Sequence, residues 1–348
     1  MKGTPRELPP PTVDVRSPFD GHLVGAAPIY GREAADTAVA RAARCLSDPL
    51  PAWHRAELIE RAVAALRNRR EDFARLIMSE VAKPITAALE EVTRAAETLV
   101  FSAIVARTLG GDLLAADGSA SGEGKVAWVR RVPIGVVLGI TPFNFPLNLL
   151  CHKVRPALAV GCPIIVKPAP ASPLTALCFA ELLEELGLPL GWVQVIPCEN
   201  EVVEALVHHR DVAMVTFTGS PNVGWSIRSN VPRKRVSLEV GNNAPVIIEP
   251  DADCETVARK IGVAGYSFAG QSCVSTQRVL VHASLASEFL DALTSEVSRL
   301  GVGDPNEAGT VVSSLITTAA TERVRGWIRE AVGEGARLVV GGVCETRC

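Results

Sequence analysis

Residues 134–141, IGVVLGIT, and residues 163–169, PIIVKPA, are apolar and β-branched at most positions, and a helical pattern from about Leu147 to Ala159 separates them. Strands that are apolar on both faces are buried on both faces, and when they alternate with helices they build a parallel sheet covered on either side. The alternation continues through a helix from about Pro173 to Leu186, the strand VQVIP (193–197) and a short helix through VVEALVHH (202–209). It ends with the strand MVTFTG (214–219) and a helix beginning near Asn222. The predicted fold class is therefore α/β, with a Rossmann-like nucleotide-binding domain at its centre.

Working outward, the segment from about Arg32 to Thr108 repeats apolar residues at three-to-four spacing in ADTAVARAARCL, RAELIERAVAALRNRREDFARLIMSEV and ITAALEEVTRAAETLVFSAIVARTL, which predicts a layer of amphipathic helices. A Gly- and Ser-rich piece then intervenes, GGDLLAADGSASGEGKVAWVRRVP (110–133), whose flanks LLAA and VAWVRRV read as the two strands of a projecting hairpin. On the far side, RVSLEV and APVIIEP lead into a second α/β region. It comprises the helix DCETVARKIGVAGYSFAG (253–270), the strand RVLVH, the helix LASEFLDALTSEVSRL and a last strand near ARLVV (336–340). The expected division is a nucleotide-binding domain over 1–112 and 133–240, a hairpin over 113–132, and a catalytic domain over 241–348.

Composition narrows the function. With 48% hydrophobic and 21% charged residues, the chain has a globular balance. The 35 basic and 38 acidic residues form no long run of one sign, so nucleic acid and anionic membranes are not expected partners. The amino-terminal residues lack a signal-peptide core, which makes the cytoplasm the expected compartment. Nine cysteines lie mostly inside apolar segments such as LLCHKV, without the paired spacing of a zinc site, so no metal is expected and most read as inert thiols.

Cys273, in FAGQSCVSTQR, is the exception: it follows an amphipathic helix in a Gly/Ser/Gln segment, where scaffolds place reactive groups, although a small residue in a tight turn is the plainer alternative. Glu239 lies 34 residues earlier, at the end of the strand in SLEVGNN, a place where a glutamate is ordinarily a solvated terminus. Lys167 ends PIIVK, and ligands of open α/β sheets sit beyond the carboxyl ends of strands. Gly219, Ser220 and Gly224 open a helix, a place suited to a phosphate or simply to a turn capped by Ser220; the dinucleotide fingerprint G-x-G-x-x-G is absent there.

Taken jointly these segments are more specific than any one of them. SLEVGNNAPVII followed by FAGQSCVSTQRVLVH resembles the general-base and nucleophile motifs of the aldehyde dehydrogenase superfamily at that family's spacing. ITPFNFPLNLLCHKVRPALAVGCPIIVKPAPASPLTAL and FTGSPNVGWSIR resemble its oxyanion and cofactor segments. The resemblance implies that Cys273 is the nucleophile, that Asn144 and the Cys273 N–H stabilise the alkoxide, and that Glu239 activates water. Lys153, nine residues past Asn144, is implied to support the site, against the alternative of a solvent-facing lysine. NAD or NADP is implied at Ile140, Thr141, Pro142, Phe143, Lys167, Gly219, Ser220 and Gly224. The aldehyde is implied at Phe145, Asn148, Leu149 and His152, where Asn148 and His152 at i, i+4 suggest a small polar aldehyde, against the plainer alternative of a polar helix surface or a satisfied core histidine. The wording of the motifs is closest to branches acting on lactaldehyde-like, sulfo- or phosphonoacetaldehyde substrates. The resemblance also implies a homodimer or homotetramer, provided that the family's C-terminal segment is not required for pairing.

Two departures stand out. Members preferring NAD often carry a glutamate three residues after the lysine; here that position is Pro170, so NADP stays open. Members also continue for well over a hundred residues past the point where this sequence ends, in GGVCETRC, which leaves open a shifted frame, a natural truncation or simply the limit of the piece. A catalytically silent nucleotide-binding or interaction protein of the same fold is the competing expectation. An acylating enzyme transferring to coenzyme A is disfavoured by Glu239.

Overall fold

The computed structural model describes residues 10–342. It opens with an antiparallel pair that apolar periodicity does not reveal, β1 (Thr12–Arg16) and β2 (Leu23–Pro28). The helical layer follows as α1 (Arg32–Cys45), α2 (Ala52–Asn68), α3 (Arg70–Val81) and α4 (Ile85–Thr108). The run read from sequence as one helix over 55–81 breaks at Arg69, whose φ of -101° and ψ of 25° leave the helical region while its guanidinium stacks over the Phe73 ring. The hairpin strands are shorter than read: β3 (Asp112–Leu114) and β4 (Ala127–Val129) pair antiparallel over three positions, with Leu113 opposite Trp128.

Then comes the predicted parallel series, β5 (Val136–Ile140), α5 (Asn148–Val160), β6 (Ile164–Lys167), α6 (Pro173–Glu185), β7 (Val193–Val195), α7 (Asn200–His208), β8 (Val212–Gly219), α8 (Pro221–Asn230) and β9 (Arg235–Val240). The five strands form one sheet in the order β7-β6-β5-β8-β9, every neighbouring pair parallel. All five residues of β5 and all four of β6 are buried, as central strands covered on both faces require. On one face α2–α4 pack with α5 and α6 around Phe73, Leu150, Phe179 and Trp192; on the other, α1 and α7 cover Val39, Leu138, Ile165, Leu206 and Phe217. The strand order reverses between β5 and β8, which opens a crevice beyond their carboxyl ends.

Helices α5 and α6 are capped from outside. Leu147 and Ser172 occupy their N-cap positions without a side-chain capping bond. Instead Glu91 of α4 accepts from the N–H groups of Leu147 and Asn148 at 2.9 and 3.0 Å, and Glu80 of α3 accepts from those of Leu174 and Thr175. These are the orphan donors of a helix start, and each is met by a buried carboxylate.

The remaining region pairs β10 (Pro245–Ile248) in parallel with β11 (Arg278–Val281), joined by α9 (Cys254–Tyr266) and followed by α10 (Ala286–Ser298) and α11 (Thr318–Gly333). Helix α9 ends four residues before the expected Gly270. Phe268, Ala269 and Gly270 have φ of 51°, 55° and 70°, and a left-handed run cannot continue an α-helix. Nor is ARLVV a strand: among the described residues no strand lies beside 336–340, and Leu338, Val339 and Val340 remain exposed. No described helix is long and apolar enough to cross a membrane.

Candidate active site

The crevice collects most of the residues singled out in the sequence. Ile140 ends β5 and Thr141 follows it, and the Thr141 N–H bonds the Lys167 carbonyl at 3.1 Å, tying the tips of β5 and β6 together. Pro142, Phe143, Asn144 and Phe145 form the loop into α5, each partly buried. Two of the five strands, β8 and β9, carry Thr218 and Glu239 as register partners, so Glu239 stands at the sheet's edge beside the β8 tip.

Lys153 is not the solvent-facing lysine that one reading of the sequence allowed. It is buried on α5, and its ammonium donates to Thr216 Oγ1 at 3.1 Å and Thr218 Oγ1 at 2.8 Å. Gly139 makes room for its stem, since a Cβ there would lie 3.3 Å from Ile164 and 3.4 Å from the lysine. Burial pushes the Lys153 pKa down to about 8, against the opposing charge of Glu239. His152, exposed on the same helix, is also held below its usual range by desolvation and then by the positive charges of Arg155, Lys153 and Arg94, with Glu239 acting the other way. Asn148 turns away from its i, i+4 partner: it is buried, and its side-chain oxygen faces the Thr98 hydroxyl of α4. Leu149 is partly buried on the same helix.

Cys273 is exposed in the segment after the left-handed run. Two hydrogen bonds bring the distant segments to it. The Asn144 amide donates to the Gln271 carbonyl at 2.8 Å, and the Asn242 amide, three residues past Glu239, donates to the Cys273 carbonyl at 2.7 Å. Asn144 Oδ1 is buried with no hydrogen-bond partner, and the second amide hydrogen of Asn144 is not used by Gln271. The loop is braced by the Phe268 N–H on the Val311 carbonyl, the Ile316 N–H on Gln271 Oε1 and the Ser275 hydroxyl on the Gly265 carbonyl. Two αL non-glycine residues cost about 1–2 kcal/mol each, strain that these contacts hold in place.

The cofactor candidates sit at the other strand tips. Lys167 is buried at the end of β6, its pKa lowered by burial. Ser220 precedes α8 in extended geometry and makes no side-chain cap, which sets aside its reading as a capping serine. Gly219 and Gly224 are small for a packing reason: a Cβ on Gly219 would come within 2.5 Å of the Phe217 ring, and one on Gly224 within 3.1 Å of Val240 and 3.2 Å of that ring. A cleft of about 650 Å³ along α1 and β7, lined by Tyr30, Thr37, Arg41 and Gln194, holds none of the candidate residues. Sequence reading missed Thr216, Thr218, Gln271 and Asn242; the alternate threonines in the otherwise apolar MVTFTG were a signal that could have found the first two.

Comparison with known proteins fits this geometry: residues 6–348 match the aldehyde dehydrogenase family. This chain belongs to the aldehyde dehydrogenase family. Among relatives, it is 42% identical over 306 residues to 3-sulfolactaldehyde dehydrogenase of Priestia aryabhattai, covering 88% of this chain and 64% of that protein. Among aldehyde dehydrogenase structures, it resembles aldehyde dehydrogenase 21 of Physcomitrella patens in complex with the product succinate, with a TM-score of 0.92 and 33% identity, over 97% of this chain and 71% of that one. It also resembles NADP-dependent glyceraldehyde-3-phosphate dehydrogenase of Bacillus halodurans C-125 complexed with NADP, with a TM-score of 0.93, 32% identity and the same shares of 97% and 71%. The chain thus spans just under two thirds of the length of the sulfolactaldehyde dehydrogenase that it matches.

Proposed function

We propose that this chain oxidises a small aldehyde with an anionic tail to its carboxylate, using NAD or NADP. The observation that carries the reading is the pair of hydrogen bonds that fasten the Asn144 and Glu239 segments to the backbone on either side of the Cys273 sulfur. The Cys273 thiolate adds to the carbonyl carbon, and the resulting thiohemiacetal alkoxide is met by the free Asn144 amide hydrogen and the Cys273 N–H. Removing one such donor typically costs about 3 kcal/mol, roughly a hundredfold in rate. A bound nicotinamide supplies the hydride acceptor. Collapse of the alkoxide with loss of that hydride leaves a Cys273 thioester; Glu239 takes a proton from the water that hydrolyses it, releasing the acid and regenerating the thiolate.

The donors around the strand tips suit a dinucleotide. Lys167 presents a buried ammonium, and α8 begins with N–H groups that no side chain caps, a place that favours phosphate. The residues that would hold it are Ile140 to Phe143, Lys167, Gly219, Ser220 and Gly224, and Pro170 leaves NADP as acceptable as NAD. The anionic tail is inferred from relatives named for a sulfonated aldehyde and a phosphorylated one and from a structure holding succinate. Phe145 and Leu149 supply the apolar wall, and Asn148 holds the helix against α4. Residues 1–112 and 133–240 would bind the nucleotide and 241–348 carry the nucleophile. The hairpin over 113–132, with Leu113 and Trp128 exposed, would pair copies of the chain.

Reduced-cofactor absorbance over a panel of sulfonated, carboxylated, phosphorylated and neutral aldehydes tests this, with Cys273→Ala as control. Equal rates in the variant would remove Cys273 from the mechanism. Cofactor binding by calorimetry with no turnover on any aldehyde would leave a silent nucleotide-binding protein instead.

A further inference from the structure

Behind the Asn144 loop lies an ion pair that the proposed chemistry does not use. Lys83, in the turn between α3 and α4, is fully buried, and its ammonium pairs with Glu91 Oε2. The other oxygen, Glu91 Oε1, accepts from the first N–H groups of α5. The same ammonium lies 3.7 Å from the centroid of the Phe145 ring and 4.8 Å from that of Phe268. Phe145 follows Asn144 directly. Phe268 opens the left-handed run that leads to Gln271, the acceptor for Asn144. One cation therefore touches both sides of the hydrogen bond joining the two halves of the site, and the Ile85 N–H, two residues on, bonds the Pro305 carbonyl at 2.8 Å from the nucleophile side.

A buried ion pair is weak as a source of stability, because desolvating both charges offsets most of their attraction, and well-packed apolar substitutes are often as stable. What such a pair does supply is fixed geometry: here the carboxylate sets the start of α5, and a desolvated cation between two aromatic faces favours one separation of those rings. We propose that Lys83 and Glu91 are positioning residues that hold Asn144 in register with the Cys273 loop. This rests on the aldehyde-oxidising reading for its effect on rate, whereas the clamp itself can be observed without turnover.

The test is the neutral pair Lys83→Met with Glu91→Gln, which keeps volume and leaves an acceptor for the α5 N–H groups. Hydrogen exchange followed by mass spectrometry is expected to show at least fivefold faster exchange over residues 267–276, with α2 and β6 unchanged. In kinetics, kcat is expected to fall tenfold or more with the cofactor Kd within twofold. The same pair introduced into Asn144→Ala is expected to lower kcat by less than twofold, since neighbours acting through one group are not additive. Unchanged exchange over 267–276 overturns the clamp whether or not the enzyme turns over. A full tenfold loss in the Asn144→Ala background, or a kcat loss matched by loss of cofactor binding, overturns the positioning role. A wild-type chain without activity sinks the aldehyde-oxidising reading alone, and exchange still decides the clamp. Phe268→Leu, which keeps the ion pair and removes one ring, gives a second arm if the neutral pair does not fold: faster exchange over 267–276 supports the clamp, and unchanged exchange overturns it.

Discussion

The substitution Glu80→Gln is expected to remove a pH dependence of stability from the chain. Glu80 lies buried between α3 and the start of α6, and burial pushes its pKa from 4.5 up to about 7, against the hydrogen bonds it accepts from Thr175 and Leu174. The folded chain thus holds this proton more tightly than the unfolded chain. The stability it contributes is fully present below pH 4.5 and is lost as pH rises through about 7. A gap of about 2.5 pKa units at roughly 1.4 kcal/mol each gives about 3–4 kcal/mol in all, undiscounted because the carboxyl is out of solvent. The variant's side-chain carbonyl would accept from the Leu174 N–H and its amide would donate to the Thr175 hydroxyl oxygen, giving up the bond from the Thr175 N–H and leaving no charge to bury. Denaturant unfolding of both proteins at a series of pH values between about 5 and 8 is the assay. The wild-type chain should lose about 2–3 kcal/mol relative to the variant across that interval. Parallel curves would mean that Glu80 stays ionised in the fold, and the account of its environment would be wrong.

Gly219→Ala places a methyl on the Phe217 ring and is expected to destabilise by about 1–3 kcal/mol and to weaken NADP binding, measured by melting and calorimetry; a variant as stable as wild type sinks the packing argument. The Lys153 ammonium is lost as pH rises through about 8, so kcat/KM should decline above that pH and the profile of Lys153→Met should lack this limb; a wild-type plateau extending well above pH 9 would exclude the ammonium from the rate. Trp128→Asp on the hairpin should shift the sedimentation coefficient toward monomer with little change in melting temperature, and an unchanged coefficient would move self-association elsewhere.

Much of the fold is legible in the sequence because β5 and β6 are apolar at nearly every position, and only a sheet covered on both faces accommodates such strands. The proposed reactive side chains drew attention only jointly, since Glu239 and Cys273 each have a plain alternative and it is their order and spacing with the Asn144 segment that carry the resemblance. What stayed hidden follows from tertiary context. Phe268 and Ala269 carry no signal for positive φ, so α9 read as four residues too long. Lys83 sits in a turn and Glu91 in a charged helical pattern, places that ordinarily mark solvated side chains, and only the packed fold turns them inward. ARLVV has the composition of a strand, but a strand is defined by a neighbour, and among the described residues it has none.

The borrowed caps of α5 and α6 also bear on how the chain reaches its native state. Glu80 and Glu91 leave the ribosome before the helices whose first turns they complete, so the early α-helical segment waits as a template rather than as a passive cover. The sheet half is consequently not a self-sufficient folding unit, and a fragment beginning at Pro133 would emerge with two unstarted helices flanking its central strand.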